Sequence, residues 1–147
     1  MLERIIMEFS VNIGASKERR IRVRSNQTTN FLWKGENVLS TPAMISEMEE
    51  TCRLLLKEEA IPDQDWDSVG TLVNVKHLAA TPVGAEVTLK ARVTGVDARR
   101  IMFEVEAFDK IEKIGEGSHE RFIINVPRFN SKFHEKQKQL GMQSKKD

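Results

Sequence analysis

The segment STPAMISEMEETCRLLLKEE, residues 40–59, has the helical spacing that decides the fold. Its apolar side chains recur every three or four residues and would form one stripe on a helix. The stripe consists of Met44, Ile45, Met48, Cys52, Leu55 and Leu56. Ser40 or Thr41 can cap the helix, and Pro42 suits its first turn. The spacing therefore predicts one long helix over residues 42–59.

Strand patterns surround this helix on both sides. The segment ERRIRVRSNQTT, residues 18–29, alternates in a way that is typical of an exposed or edge strand. After the helix, alternation predicts strands over residues 66–78, 86–93, 101–108 and 117–126. The links DARR and DKIEKIGEG have the character of hairpin loops. An antiparallel sheet packed on one long helix, an α+β fold, is the arrangement that these elements predict.

The length of 147 residues favours a single domain over residues 1–147, with a core over about 18–128 and a basic tail over about 129–147 that begins as a helix and then frays. The 23 basic and 22 acidic residues nearly cancel, which predicts neither nucleic acid nor a membrane as a partner. A lone cysteine and the lack of a signal-like N-terminal pattern predict a cytoplasmic protein.

Three residues stand out for their chemistry. Glu49 falls at the margin of the apolar helix stripe, so it is the acidic residue expected to be half buried, whereas Glu50 should point away. A period of two places His77 on one strand face with Val69, Thr71, Val73 and Val75. Each has a simpler interpretation as well: Glu49 as a rim residue, His77 as a hydrogen-bonded core residue, and Thr41 as a helix cap.

Together the three residue types suit acyl transfer. A carboxylate among apolar neighbours becomes a better proton acceptor, and an imidazole transfers protons near neutral pH. A hydroxyl at a helix start can orient a substrate, and the free N–H groups there can stabilise an oxyanion. The three histidines are scattered and no metal-ligand cluster is predicted. Cys52, on the apolar stripe, is expected to be an inert core thiol.

The segments STPAMISEMEETC, VGTLVNVKHLAATPVG and DARRIMFEVEAFDKIEKIGEGSHERFII, with RFNSKF after them, resemble the hotdog acyl-CoA thioesterases, most closely the fluoroacetyl-CoA thioesterase group. The resemblance covers most of residues 38–133. It implies a hotdog fold, in which an antiparallel sheet wraps around one long central helix. It also implies an enzyme that hydrolyses an acyl-CoA thioester to a carboxylic acid and free coenzyme A.

The same resemblance assigns roles to individual positions. The catalytic Thr, Glu and His of the group correspond to Thr41, Glu49 and His77. Gly70 matches a glycine at which backbone approaches the thioester, Phe31 and Trp33 fall in a segment that covers the pocket, and Arg121 is a further substrate-binding candidate. The resemblance implies a homodimer with its active sites near the subunit interface and the pantetheine arm of coenzyme A entering between the chains. The sequence leaves open whether dimers pair into tetramers, and no cofactor or metal is expected beyond the coenzyme A of the substrate.

Some choices stay open at this stage. The segment NFLWKGENV, residues 30–38, departs from the family pattern, so a broader or different small acyl group is expected in place of fluoroacetyl selectivity. Glu49 can act as a nucleophile that forms a mixed anhydride, or as a base on water. The alternatives to a thioesterase are an acyl-CoA binding domain without turnover and a hotdog hydratase or dehydratase. Alternation alone would make His119 and Arg121 sheet-surface or interface residues.

Overall fold

The computed structural model describes residues 10–33 and 36–143. It contains two α-helices, α1 (Thr41–Glu59) and α2 (Val126–Gln139). The strands are β1 (Ser16–Arg22), β2 (Trp66–His77), β3 (Glu86–Asp97), β4 (Arg100–Phe108) and β5 (Lys113–Asn125). The predicted α+β class, the long helix and the strands that follow it are confirmed.

One antiparallel sheet carries all five strands in the order β1-β3-β4-β5-β2, so β1 and β2 are its edges. Helix α1 packs against the inner face and contacts every strand. The predicted inward set of β3 is buried there, namely Val87, Leu89, Ala91 and Val93. Of the described helices, none is long and apolar enough to cross a membrane.

Three boundaries differ from the prediction. The first strand ends at Arg22 because the chain then enters a short 3-10 turn over Ser25–Gln27. The loop before β5 is shorter than expected, since Asp109 Oδ1 accepts the amide hydrogens of Ile111 and Glu112 and closes a tight turn. The tail begins as a helix, as predicted, but helix α2 starts earlier, at Val126, and continues to Gln139. Lys145 and Lys146, which belong to the predicted basic tail, lie outside the described residues.

Two glycines that had indicated a turn, Gly115 and Gly117, lie inside β5. A Cβ on Gly115 would stand 2.6 Å from Met44 Sδ on α1. A Cβ on Gly117 would overlap the Asn74 carbonyl oxygen of β2. Glycine is needed at both positions because a helix and a neighbouring strand approach the backbone closely.

A β-bulge at Thr71 divides the predicted face of β2. The register with β5 shifts between Gly70 and Leu72. An extra residue in one strand reverses the order of the faces beyond it. Val69 and Thr71 therefore lie on the outer face, whereas Val73, Val75 and His77 lie on the inner face, and the single face predicted for all five residues is wrong. The bulge places Gly70 on the same inner face as His77.

Candidate active site

Thr41 and His77 form a hydrogen-bonded pair at the start of α1. Thr41 Oγ1 lies 2.8 Å from His77 Nδ1. The helix cap is Ser40, whose hydroxyl oxygen accepts a hydrogen bond from the amide of Ala43. The alternative interpretation of Thr41 as the cap is therefore wrong, and its hydroxyl is available to the imidazole. Two adjacent hydroxyls at the helix start thus have different roles: Ser40 caps the helix, and Thr41 pairs with His77.

An open, largely apolar cavity of about 380 Å³ adjoins this pair. Phe31, Leu32 and Leu78 contribute to its wall. Trp33 is strongly exposed and is not among the residues that line the cavity. Of the two predicted aromatic residues, only Phe31 lies at the cavity.

The imidazole of His77 is partly removed from water. Burial lowers its pKa from the ordinary 6.5, and the nearby Ala79 backbone acts in the opposite direction. Its Nε2 is buried and has no hydrogen-bond partner among the described residues. A neutral ring with one nitrogen bonded to a hydroxyl can accept or pass a proton at the other.

A second group of polar side chains lies beneath Gly70. The Glu49 carboxylate Oε1 is 3.7 Å from Arg121 Nη1. A Cβ on Gly70 would be 3.0 Å from that carboxylate oxygen and 3.1 Å from His119 Cε1. The missing side chain of Gly70 thus leaves open space directly above Glu49, His119 and Arg121. Close approach of a ligand to this backbone is sterically possible only because residue 70 is glycine.

Glu49 is half buried, with 38% of its side chain exposed. A guanidinium group lies beside it, so the local charge is balanced. Glu50 is exposed to a similar extent and pairs with Arg53. The most buried acid of the helix is Glu47, with 14% exposed, which bonds to Arg19 and Gln27. Helical spacing correctly placed Glu49 at the margin of the apolar stripe, but it did not show that Glu47 is the more buried acid.

The surface or interface position that alternation suggested for His119 and Arg121 is wrong. Their exposed fractions are 2% and 5%. Both project to the inner face of β5, in phase with the buried Ile123 and with Gly115 and Gly117. This alternation around Ile123 was the signal that could have located them. Arg121, a predicted substrate-binding residue, lies against Glu49.

Within one chain the predicted residues form two separate groups. Thr41, His77 and Phe31 lie at one cavity, and Glu49, Gly70 and Arg121 lie at another opening. Thr41 and Glu49 are eight positions apart on α1, which corresponds to about 12 Å along the helix axis. One copy of the chain therefore does not bring the hydroxyl, imidazole and carboxylate into mutual contact.

Cys52 has the inert character that its position on the helix stripe predicted. It is fully buried, and burial raises the pKa of the thiol to about 12. Among residues 10–33 and 36–143, no three His, Cys, Asp or Glu side chains are grouped so that they could hold a metal ion.

The two neighbouring hydroxyls at the helix start allow a matched test. We expect Thr41→Val to slow thioester hydrolysis by about tenfold, because the imidazole loses its hydroxyl partner while the side-chain shape is kept. Ser40→Ala should instead cost about 1 kcal/mol of unfolding free energy and leave the rate near that of the wild type. Urea unfolding and thiol release measured on both variants separate the two roles. A Thr41→Val protein that is destabilised but equally fast would contradict this assignment.

Comparison with solved structures identifies the fold class of this protein. The chain superposes on a hot-dog-like protein from Thermanaerovibrio acidaminovorans with a TM-score of 0.76 and 24% identity, over 84% of this chain and 91% of that one. It superposes on the fluoroacetyl-CoA thioesterase FlK with a TM-score of 0.79 and 30% identity, over 86% of this chain and 98% of that one. The fold is the hotdog fold, as the sequence resemblance implied.

The sequence comparisons are more specific. The model of the fluoroacetyl-CoA-specific thioesterase family matches residues 23–127. The fluoroacetyl-CoA thioesterase of Streptantibioticus cattleyicolor is 37% identical over 99 residues, which cover 67% of this chain and 70% of that protein. This chain belongs to the fluoroacetyl-CoA-specific thioesterase family and is a thioester hydrolase.

Proposed function

We propose that this protein hydrolyses the thioester of a small acyl-coenzyme A, giving a carboxylic acid and free coenzyme A. The observation that carries the proposal is the hydrogen bond between Thr41 and His77 at the apolar cavity, in a member of a thioesterase family. An apolar wall with one hydroxyl and one imidazole suits an uncharged acyl group. The reaction consumes one water, breaks the carbon–sulfur bond and leaves a proton on the thiol.

In this mechanism Thr41 orients the attacked group and His77 moves protons. Glu49 acts on the thioester carbonyl, either directly or through a water molecule. Arg121 is the substrate-binding cation beside Glu49, and Gly70 gives the thioester access to the carboxylate. Phe31, at the cavity wall, contacts the acyl group. Coenzyme A is part of the substrate, and no other cofactor is required.

A homodimer would bring the two groups of residues together. Strand β2 is a sheet edge, and its stretch from Gly70 to Asn74 is exposed in the single chain. An unpaired edge is a template for another strand. In a two-fold antiparallel pair, residues on opposite sides of the axis and equally far from it face each other. An axis through Asn74 would pair Val75 with the partner's Val73, and because the bulged Thr71 takes no partner, His77 would lie opposite the partner's Gly70.

This arrangement builds each active site from both subunits. Thr41 and His77 come from one protomer, and the partner's Glu49 and the partner's Arg121 complete the site. The pantetheine arm of the substrate then enters between the chains. The exposed apolar residues Leu72 and Val73 become covered in the pairing. Such burial supplies a driving force that the isolated edge lacks.

Mixing two inactive variants tests the shared site. Hybrid dimers of Glu49→Ala and His77→Ala chains contain one site with both groups intact, so activity should return to about a quarter of the wild-type value after subunit exchange. The expectation follows because about half of the dimers are hybrids and each has one intact site. If each site lay within one chain, no activity would return.

Thiol release from short, branched, aromatic and long acyl-coenzyme A substrates tests the activity itself. We expect turnover of small acyl groups, and fluoroacetyl-coenzyme A should not be preferred strongly over acetyl-coenzyme A, because the segment around Phe31 departs from the family pattern. A wild-type protein that binds these thioesters but releases no thiol would overturn the proposal and indicate a binding domain.

We further propose a cytoplasmic location. The chain has one cysteine, which is buried on α1, and therefore no internal disulfide. Such cysteine usage is typical of a reducing compartment. Fractionation of cells that express the full chain would test this placement.

A further inference from the structure

His119 is a buried titratable residue to which the proposed mechanism gives no task. It lies on the inner face of β5, and its ring packs against Phe103 with centroids 6.2 Å apart and an interplanar angle of 27°. A buried histidine is normally hydrogen-bonded, and the identity of its partners decides which ring nitrogen carries the hydrogen. The surroundings of His119 settle that question.

The partners of the two ring nitrogens are of opposite kinds. His119 Nδ1 lies 2.8 Å from the carbonyl oxygen of Leu72, which can only accept a hydrogen bond. His119 Nε2 lies 3.2 Å from Nη1 of Arg121, which can only donate one. The ring is therefore neutral, with its hydrogen on Nδ1 and its lone pair on Nε2 directed at the guanidinium. The Leu72 carbonyl directly follows the bulge at Thr71, so the irregular strand helps to fix the ring.

Arg121 is held along its whole guanidinium group. Its Nε donates to Ser68 Oγ at 2.7 Å, and its Nη2 donates to the Ser68 carbonyl oxygen at 2.7 Å. The bond from Nη1 to His119 fixes the third nitrogen, which is also the one nearest to the Glu49 carboxylate. Ser68 thus anchors one side of the guanidinium, and His119 sets the direction of the side that faces Glu49.

We propose that His119 is a positioning residue, a neutral imidazole that accepts a hydrogen bond from Arg121 and thereby aims the guanidinium Nη1 at Glu49 and at the space beneath Gly70. This inference rests on the proposed thioesterase function. Its consequence is that Arg121 meets the reacting thioester with its donor already oriented. Preorganised donors stabilise developing negative charge more than donors that must reorient during the reaction.

Burial and the neighbouring groups together favour a neutral imidazole at His119. Arg121 faces it from β5, Glu49 and the Cys52 thiol lie on the α1 side, and Glu120 is its neighbour on β5. Burial lowers the pKa of His119 and the Arg121 charge lowers it further, whereas the Leu72 carbonyl and the charges of Glu49 and Glu120 act in the opposite direction. A protonated ring would present a donor to a donor and place two cations side by side.

Two substitutions separate the two hydrogen bonds of the ring. Asparagine can place an amide donor where Nδ1 was and keep the bond to Leu72, but it leaves Arg121 without an acceptor. Glutamine can place its amide oxygen where Nε2 was and keep the acceptor for Arg121. We expect His119→Asn to lower kcat by about 10- to 100-fold with little change in KM, as a small misplacement of a reacting group does. His119→Gln should stay within about threefold of the wild type.

The double variant with Arg121→Gln shows whether His119 acts through Arg121. In that background the further change His119→Asn should have almost no effect on kcat, because the group that it positions is already gone. Thermal unfolding of every variant is measured beside the kinetics. A purely structural His119 would give equal losses in the Asn and Gln variants, or a loss from His119→Asn that persists fully in the Arg121→Gln background. Either result would overturn the inference.

The kinetics also separate this inference from the proposed function. If wild-type protein releases no thiol from any acyl-coenzyme A, the proposed function fails. If the wild type is active, Glu49→Gln is inactive and His119→Asn is as fast as the wild type, only the role of His119 fails.

Discussion

Replacement of Glu49 by glutamine is expected to lower kcat for acyl-coenzyme A hydrolysis by about 10³-fold. Glutamine keeps the shape of the side chain but removes the oxygen that can attack a carbonyl or accept a proton from water. The fold should survive, since the side chain is 38% exposed and lies at the rim of the α1 packing face. Thiol release at saturating substrate measures the rate, and circular dichroism with thermal unfolding checks the fold.

Glu50→Gln is the matched control. The neighbouring carboxylate has a similar exposure but pairs with Arg53, whereas Glu49 pairs with Arg121. Its removal should leave kcat within about twofold, because an exposed ion pair contributes little. Equal rates for the wild type and Glu49→Gln would remove Glu49 from the mechanism, whatever the control shows.

Isotope labelling tells the two routes of Glu49 apart. If Glu49 forms an anhydride and water then opens it at the glutamate carbon, turnover in oxygen-18 water transfers label into the Glu49 side chain. A general base takes only a proton and acquires no label. Mass analysis of the peptide that contains Glu49, after many turnovers, measures the difference.

Replacement of His77 by alanine is expected to lower kcat by about 10²- to 10³-fold, because Thr41 loses its partner and no other imidazole lies at the cavity among the described residues. The fold should persist, as the ring is only partly buried. His134→Ala on the exposed face of α2 is the control and should retain wild-type activity. A His77→Ala enzyme with undiminished kcat would show that proton transfer takes another route.

The pH dependence of the wild type follows from the same ring. A base must be neutral to accept a proton, and burial lowers the pKa of His77 from 6.5. The neutral form therefore persists at pH values below 6.5. The acid limb of the kcat/KM profile should accordingly have its midpoint below pH 6.5. Values of kcat/KM measured from about pH 4.5 to about pH 8 test this expectation. A midpoint above 6.5 would mean that the ring is not the group that limits the rate.

Periodicity was sufficient for most of the fold. The helical stripe from Met44 to Leu56 marked α1, and alternation from Val87 to Val93 marked the buried face of β3, because each pattern matches the geometry of its element directly. Gly115 and Gly117 were misinterpreted as a turn, since a glycine that admits a neighbouring helix or strand looks the same in sequence as one that bends the chain.

The site was predictable residue by residue only in part. Thr41 and His77 were selected from their chemistry and from the family resemblance, and the structure brings them into contact. Glu49 was found at the correct margin of α1, but alternation placed the cation beside it, Arg121, at the sheet surface or an interface. Arg121 lies beside Glu49, and Ser68, which anchors its guanidinium group, is more than 50 positions away in the chain. Contacts between such distant residues leave no local pattern in the sequence.

The sequence by itself determined the elements of this protein, their order and the residue types available for thioester chemistry, because local spacing dictates which side chains share a helix stripe or a strand face. Only the tertiary structure decided how those residues group. The bulge at Thr71 turns Gly70 to the face of His77, β5 carries His119 and Arg121 under that glycine, and the length of α1 separates Thr41 from Glu49. Each of these depends on register between distant segments, which is set by packing across the whole sheet.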